Sequence, residues 1–234
     1  PLATLTLQRF LVGAVARAHD RGCSMSWIPI LVGPQGAGKS MLSRSLVPPH
    51  LFAEITTPLE LLSKEAYRLH VGWLLELPEV DHFFSPRQVE SFKNLITTRV
   101  DEIRRPYARQ PEKCKRPFVM IGTSNRNQFL VDSTGNRRFI PLELGHKFLI
   151  PWQEIEQVRD SLWAAAIREF KAGVPYEFTA GEVEAAAKYI QEFSDPDPWS
   201  DVIRSYLDRM TLPYDINTQQ WSRKEVKVAD LLTT

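Results

Sequence analysis

Apolar blocks and blocks of mixed residues alternate along the first half of the chain. The apolar stretch from Ile28 to Val32 has the length of a buried strand, and the segment MLSRSLV at 41–47 has the pattern of a helix. The apolar runs VGWLLELPEVD at 71–81 and RPFVMIGTSN at 116–125 predict two further strands. Because strands and helices alternate, the pattern predicts an α/β sheet.

Helical periodicity is found in four other segments, at 7–22, 85–98, 152–170 and 181–193. We expect Ser85 to cap the second of these helices, with Pro86 in its first turn. The predicted organisation has four regions: an N-terminal helical segment at 1–24, the α/β core at 25–145, a helical lid at 146–195, and the start of a further helical element at 196–234. Because the chain starts at Pro1 and its last segment resembles an incomplete helix, we expect a fragment of a longer protein.

Composition narrows the class of protein. The 234 residues are 43% hydrophobic, which suits one sizeable globular core. The chain has no apolar run of about 20 residues and no signal-peptide pattern at its start, so we expect cytoplasmic residence and no membrane partner. The two cysteines, Cys23 and Cys114, lie far apart and predict neither a disulfide framework nor a zinc site.

A glycine-rich loop follows the first predicted strand. It fits the phosphate-binding pattern G-x-x-x-x-G-K-[ST], in which backbone N–H groups surround phosphate oxygens. The lysine of this pattern neutralises the β and γ phosphates, and its serine offers a hydroxyl to Mg²⁺. A turn without a ligand is the alternative interpretation. The candidate nucleotide-binding residues are Gly33, Pro34, Gln35, Gly36, Ala37, Gly38, Lys39, Ser40 and Met41.

Carboxylates stand at the end of the next apolar run, where a P-loop ATPase needs them for Mg²⁺ and for the attacking water. Glu76 has the position of the Walker B acid and, with Ser40, is the candidate metal ligand. Glu79 follows in the turn, and the residues leave open which of the two glutamates is the base. Both could instead be surface acids at a strand end.

Two later motifs complete a candidate catalytic set. Asn125 ends the strand at 116–125, where a polar residue can orient water as a sensor, although asparagine at a strand end is also a common turn former. Arg137 and Arg138 follow it. An arginine donated by a neighbouring subunit can stabilise the charge of the transition state, and either residue could be this arginine finger. Adjacent strand residues point in opposite directions, so only one is expected to face a given nucleotide. The alternative is a surface salt bridge.

Positive charge is concentrated between Arg87 and Arg126, although the net charge of the whole chain is +1. This stretch has ten basic residues and four acidic ones. Such an excess is typical of a surface that binds a polyanion, and single-stranded DNA or RNA is the natural candidate. A solvated basic loop is the alternative. We expect the strands at 100–109 and 116–125 to flank a polar tip that carries three basic residues, Arg109, Lys113 and Lys115.

Five motifs in this order resemble the virulence-associated protein E family: GPQGAGKS, ELPEVD, DEIRRPYAR, RPFVMIGTSN and GNRRFIPLEL. These are P-loop proteins of phages, plasmids and genomic islands, similar to superfamily 3 helicases. The resemblance implies an AAA+ core with a central, mostly parallel sheet, a β-hairpin before the sensor strand and flanking helices. It also implies ATP and Mg²⁺ as cofactors, a hexameric ring, a hairpin that grips single-stranded DNA, and a covalently linked upstream primase or polymerase domain.

The resulting hypothesis is an Mg-ATP-dependent, ring-forming DNA helicase or translocase. In this hypothesis the catalytic residues are Lys39, Glu76, Glu79, Asn125, Arg137 and Arg138. A nucleotide-gated DNA-binding or regulatory ATPase that unwinds nothing is the main alternative. A small-molecule phosphotransferase would also need the loop, but it would leave the basic hairpin and the paired arginines without a joint role.

Overall fold

The computed structural model describes residues 2–85, 87–104, 109–130, 136–144 and 150–194, together with 203, 205, 214–215 and 220–221. The chain divides into two compact units, Pro1–Ser194 and Asp195–Thr234. Most of the predicted C-terminal element at 196–234 lies outside the described residues, as does Pro86. The predicted boundaries at residues 24, 145 and 195 stay predictions.

The α-helices are α1 (Leu2–His19), α2 (Lys39–Ser45), α3 (Leu59–Leu62), α4 (Val89–Thr97), α5 (Trp152–Lys171) and α6 (Ala180–Gln191). The strands are β1 (Ile28–Val32), β2 (Phe52–Glu54), β3 (Leu74–Leu77), β4 (Val100–Ile103), β5 (Glu112–Lys115), β6 (Val119–Ser124), β7 (Phe139–Glu143), β8 (Tyr214–Asp215) and β9 (Gln220–Trp221). Short 3-10 helices occur at Pro49–Leu51, Ala66–Leu69, Val80–Phe84 and Asn136–Arg138. In the second unit, β8 and β9 pair in an antiparallel ladder.

A five-stranded sheet forms the core of the first unit, with the order β2-β3-β6-β1-β7. All its neighbouring strands are parallel. Every residue of β1, β3 and β6 is buried, as expected for strands covered on both faces, and this explains their continuous apolar sequences. The α/β prediction is confirmed. Since all strands run in one direction, their carboxyl ends share one edge of the sheet.

Helices cover this sheet. Helix α1 packs on β1, β6 and α5, and α2 contacts α5, β3 and β6. Trp163 of α5 fixes the end of α2, because its Nε1 donates a hydrogen bond to the Leu46 carbonyl at 2.6 Å. Elsewhere in the core, Phe92 stacks on Phe139, and Phe84 meets both rings edge-on, with ring centroids 4.7 to 5.5 Å apart.

Helix α4 begins later than the sequence predicts. Its first residue is Val89, and Gln88 precedes it as the cap. The Ser85 carbonyl accepts hydrogen bonds from the backbone N–H groups of Gln88 and Val89, so Ser85 begins the turn that leads into the helix. The cap of the helix is Gln88 and not the predicted Ser85.

The hairpin before β6 also differs from the prediction. Its partner strands are β4 and β5, an antiparallel pair outside the main sheet, whereas residues 119–124 form β6 within the sheet. The strands β4 and β6 have different surroundings. Every residue of β6 is buried, whereas β4 alternates between exposed and buried residues. Lys115 pairs with Val100, the first residue of β4, so it lies at the base of the hairpin rather than at its tip.

Among the helices that the structure describes, none combines the length and the apolar character needed to cross a membrane.

Candidate nucleotide site

The glycine-rich loop connects β1 to α2 at the carboxyl edge of the sheet. Gly36 and Gly38 have φ angles of 81° and 89°, in the left-handed region that glycine adopts without strain. A Cβ atom on Gly36 would meet nothing within 4 Å, so the backbone angle and not the available space requires glycine there. The Gly33 N–H donates a hydrogen bond to the Ser124 carbonyl at 3.2 Å, which joins the loop to β6.

Lys39 lies at the centre of the loop. Its Nζ donates hydrogen bonds to the carbonyls of Gly33 and Pro34 at 2.7 and 2.8 Å and to Asn125 Oδ1 at 2.7 Å. Burial lowers the pKa of Lys39, and the nearby charges of Glu76 and Glu79 partly oppose this shift. The ammonium group is thus held between the loop and the predicted sensor.

Glu76 is the third residue of β3 and lies beside the first turn of α2. Ser40 Oγ donates a hydrogen bond to Glu76 Oε1 at 2.5 Å. Glu76 is fully buried, and burial raises the pKa of its carboxyl group although the Ser40 hydrogen bond opposes the change. Its Oε2 has no hydrogen-bond partner among the described residues.

These two side chains fit a magnesium ion. Mg²⁺ prefers oxygen ligands and is commonly bound through one or two carboxylates and a hydroxyl group. A buried carboxylate oxygen without a partner, next to a serine hydroxyl, offers such ligands. An ion there would also favour the charged form of the Glu76 carboxyl group.

Glu79 has a different environment from Glu76. It follows β3 in the turn, and its side chain is 60% exposed, with Oε2 3.5 Å from His82 Nε2. Its φ angle is 48°, the one positive value of a non-glycine residue in the described part of the chain. The two glutamates therefore stand in contrasting settings, one buried and bound to Ser40 and the other exposed on a strained backbone.

The structure brings four predicted site residues into direct contact as two pairs, Lys39 with Asn125 and Ser40 with Glu76. Sequence reasoning missed a further acid. Glu54 ends β2 in register with Glu76, and its charge contributes to the raised pKa of Glu76. The signal was present, because the segment LFAEI has this acid at its carboxyl end.

Sequence reasoning also missed an ion pair beside the sensor. Arg126 directly follows Asn125 in the chain, and its Nε lies 3.5 Å from Asp81 Oδ2. Ser124 Oγ donates a hydrogen bond to Asp81 Oδ1 at 3.3 Å. This pair connects the turn after β3 to the end of β6.

Arg137 and Arg138 lie at the opposite edge of the sheet from the loop. They end a 3-10 helix that leads into β7, and β7 runs parallel to β1 with Phe139 paired to Ile28. The arginines thus precede the strand, so the alternation of strand side chains does not apply to them. Residues 131–135 lie outside the described residues.

A cavity of about 370 Å³ at this amino edge includes both arginines. Trp27 and Phe178 also line it, with ring centroids 4.7 Å apart. Neither Arg137 nor Arg138 forms an ion pair with the residues that the structure describes. Glu177 lines the same cavity, so the cavity contains a carboxylate as well as the two guanidinium groups.

The basic residues of the hairpin fall into two groups. Arg109, Lys113 and Lys115 are exposed, with Lys113 paired across the hairpin to Glu102. Arg109 precedes β5, in the connection between the two strands. Residues 105–108, including the basic Arg105, lie outside the described residues.

Arg116 has a structural environment instead. It is buried and binds both carboxylate oxygens of Asp101, at 2.7 and 2.8 Å, and it also donates to the Leu95 carbonyl. Asp101 accepts a further hydrogen bond from His70 Nε2 at 2.9 Å. Burial alone would raise the pKa of Asp101, but the hydrogen bonds from His70 and Arg116 outweigh burial and lower it. This cluster anchors the hairpin base, so the charge available to a ligand is smaller than the sequence count implies.

Comparisons with known proteins agree with this fold. The family described as "Virulence-associated protein E-like domain" matches residues 1–195. The solved structure titled "The apo structure of NrS-1 C terminal region (305-718)" has a TM-score of 0.54 and 20% identity, covering 89% of this chain and 54% of the other. A second structure, the A form of the same apo region, has a TM-score of 0.54 and 17% identity, covering 88% and 56%.

At these identities the similarity concerns the fold, an α/β core with a parallel central sheet and flanking helices. The chain spans about half the length of these solved structures. No curated protein sequence matches it.

Proposed function

The chain belongs to the family of virulence-associated protein E-like domains, and we propose on this basis that it is the Mg-ATP-hydrolysing part of a mobile-element DNA helicase or translocase. The observation that carries the proposal is the convergence of two side-chain pairs at the carboxyl edge of the sheet. Lys39 contacts Asn125, and Ser40 contacts Glu76. A loop lysine, a loop serine, a strand-end acid and a sensor amide are the groups that phosphoryl transfer requires.

The residues divide the work in this proposal. The loop N–H groups and the Lys39 ammonium hold the β and γ phosphates, and Ser40 and Glu76 hold the metal ion. When bound, Mg²⁺ neutralises charge on the β and γ phosphates. Glu76 suits this role because it is buried, fixed by Ser40 and has a free oxygen.

We assign the base to Glu79. Its side chain is exposed, so it can reach water at the end of the site, and Asn125 orients this water. The water oxygen bonds to the γ phosphorus while the bond from that phosphorus to the β–γ bridging oxygen breaks. Glu79 takes the proton of the water, and ADP leaves with the electron pair of the broken bond.

The arginine finger acts on a neighbouring subunit in this proposal. The strand β1 separates Arg137 and Arg138 from the loop of their own chain, and its five residues span about 13 Å at 3.3 Å per step. Both arginines are without an ion pair among the described residues, as expected of groups whose partner belongs to a second molecule. A closed ring, which we propose to be a hexamer, places each amino edge against the next nucleotide.

Single-stranded DNA is the proposed polyanion. The exposed Arg109, Lys113 and Lys115 supply positive charge on the hairpin, and the Asp101–Arg116 cluster holds its base on the core. A hairpin fixed at its base transmits movement between subunits to the DNA strand that it contacts.

Steady-state ATP hydrolysis with and without single-stranded DNA, over a range of protein concentrations, tests the proposal. We expect specific activity to rise with concentration, because the site is shared, and to rise further with DNA. A strand-separation assay on a forked duplex then distinguishes a helicase from a regulatory ATPase. Hydrolysis that responds to neither DNA nor concentration would contradict the proposal.

A further inference from the structure

Three consecutive residues of the turn after β3 dock on three consecutive residues of β6. The Glu79 N–H donates a hydrogen bond to Thr123 Oγ1 at 3.4 Å, and Asp81 accepts one from Ser124 Oγ at 3.3 Å. Between them Val80 is fully buried against Gly122. The turn is therefore held along its length by the end of a central strand.

Gly122 makes this approach possible. A Cβ atom at Gly122 would lie 2.9 Å from Val80 Cγ1, closer than Cβ atoms are found in proteins, and in a tight contact of 3.2 Å with Ile30 Cγ1. The absence of a side chain at this one position of β6 lets Val80 sit directly on the strand. The contact of the Val80 side chain with Gly122 therefore fixes the distance between the turn and β6.

In this position Glu79 has a left-handed backbone conformation, with a φ angle of 48°. For residues other than glycine this conformation costs roughly 1–3 kcal/mol and persists only where surrounding contacts enforce it. The Thr123 hydroxyl satisfies the Glu79 N–H in this conformation. Thr123 is 4% exposed, so it does not face bulk solvent and acts on the turn.

The same strand carries the predicted sensor. Two residues after Thr123, the Asn125 side chain accepts a hydrogen bond from Lys39. The position of Glu79 relative to the phosphate loop is therefore set through one rigid element, β6. A shift of the turn would move the Glu79 carboxylate while leaving the contacts of Lys39 and Ser40 unchanged.

We propose that Thr123 is a positioning residue for hydrolysis: its hydroxyl holds Glu79 in the left-handed conformation that presents the carboxylate to the attacking water. This inference rests on the proposed function, in which Glu79 is the base. Thr123 itself touches neither the phosphates nor the water.

The test compares Thr123→Val, which keeps the shape of the side chain but removes the hydroxyl, with Thr123→Ser, which keeps the hydroxyl. A matched control is Thr98→Val, because Thr98 Oγ1 donates to the Asn94 carbonyl at the end of α4, away from the site. We expect Thr123→Val to lower kcat about 10-fold, since misplacement by about 1 Å can cost up to 100-fold. KM and the melting temperature should stay near those of Thr98→Val, and Thr123→Ser should stay within about twofold of the unaltered protein in kcat.

A double-variant cycle separates positioning from general damage. In the background of Glu79→Gln, which removes the base, Thr123→Val should cause no further loss, because both changes act on one group. Thr123→Ala enters the same cycle if Thr123→Val does not fold. A full further loss in the Glu79→Gln background, or a kcat of Thr123→Val equal to that of Thr98→Val, would overturn the inference.

The outcomes distinguish this inference from the proposed function. If Glu79→Gln hydrolyses ATP as fast as the unaltered protein, the base assignment fails and the inference fails with it. If Glu79→Gln is inactive while Thr123→Val keeps full activity, the proposed function stands and only the inference is wrong.

Discussion

The two edges of the central sheet differ in how far one chain completes them. At the carboxyl edge, the candidate residues contact one another: Lys39 donates to Asn125, and Ser40 donates to Glu76. At the amino edge, Arg137 and Arg138 line a cavity and form no ion pair with described residues. One edge is a connected network, and at the other the two arginines form no ion pair with the described residues.

We propose from this difference that nucleotide binding and catalysis are completed by different molecules. The network within one chain suits the binding of phosphates and a metal ion. In this proposal the arginines of the amino edge act on the nucleotide of a neighbouring copy, and the catalytic site is shared between neighbouring chains.

The largest effect is expected from removing the centre of the connected edge. Lys39→Ala deletes all three hydrogen bonds of the ammonium group and its charge toward the phosphates. We expect hydrolysis to become undetectable in a steady-state assay and nucleotide affinity to fall in a fluorescence titration. Lys64→Ala is the matched control, because Lys64 is an exposed lysine outside the site. Full activity of Lys39→Ala would contradict the phosphate-loop assignment.

The next largest effect is expected at the amino edge. Replacing both Arg137 and Arg138 with alanine should lower kcat about 1,000-fold, the magnitude typical of an arginine finger. Nucleotide binding should not change, because the carboxyl edge is intact. The two single variants then identify the finger, since one should retain most of the activity. A large loss of nucleotide affinity in the double variant would place the arginines at the site of their own chain.

A smaller effect, on stability, should mark the buried basic residue of the hairpin. Arg116→Met removes both hydrogen bonds to Asp101 and leaves its carboxylate buried with His70. Breaking a buried pair in this way costs about 3 kcal/mol, so the denaturation midpoint should fall in urea titrations. An unchanged midpoint would show that Asp101 does not depend on Arg116.

The pH dependence of the unaltered protein tests the same cluster. Because the pKa of Asp101 is lowered in the folded state, its contribution to stability is present above its unfolded pKa of about 4 and is lost as pH falls through the lower folded value. Urea titrations of the unaltered protein and of Arg116→Met at a series of pH values should therefore differ most above pH 4 and converge below it. A difference that stays constant across this range would contradict the assignment.

The smallest effect on basal hydrolysis is expected from the exposed hairpin lysines. Replacing Lys113 and Lys115 together should abolish DNA-stimulated hydrolysis and leave basal hydrolysis intact. DNA affinity should weaken, and the salt dependence of binding should decrease by about one charge per lysine. The pair Lys64→Ala and Lys188→Ala is a control for the loss of two positive charges elsewhere. Unchanged stimulation by DNA would remove the hairpin from the proposed interface.

The carboxyl edge was predictable because each of its groups lies in or after the last residues of a recognisable strand. The loop follows β1, Glu76 is the third of the four residues of β3, and Asn125 follows β6, so chain order alone places them near one edge of a parallel sheet. Such local patterns fix both the element and its direction. Because β3, β6 and β1 are neighbours in the sheet, Asn125 lies close enough to contact Lys39, and Glu76 lies close enough to contact Ser40.

The hairpin and the turn were less predictable because their geometry depends on distant partners. The alternating exposed and buried residues of β4 would fit pairing with either β5 or β6. Strand β4 pairs with β5 because β6 is buried in the main sheet. The burial of Arg116 depends on Asp101 and His70, which lie 15 and 46 positions earlier in the chain. No sequence pattern marks the left-handed backbone of Glu79 either. This conformation occurs where the turn after β3 lies directly on β6, and the distant Gly122 makes that close contact possible.

Mixing two inactive variants tests the shared site most directly. Lys39→Ala lacks a working loop but carries both arginines, whereas the Arg137→Ala/Arg138→Ala double variant carries an intact loop without a finger. Our account predicts that an equimolar mixture hydrolyses ATP well above the sum of the two separate activities, because loops of one variant meet arginines of the other. A mixture no more active than that sum, while light scattering shows that the variants co-assemble, would contradict the shared site.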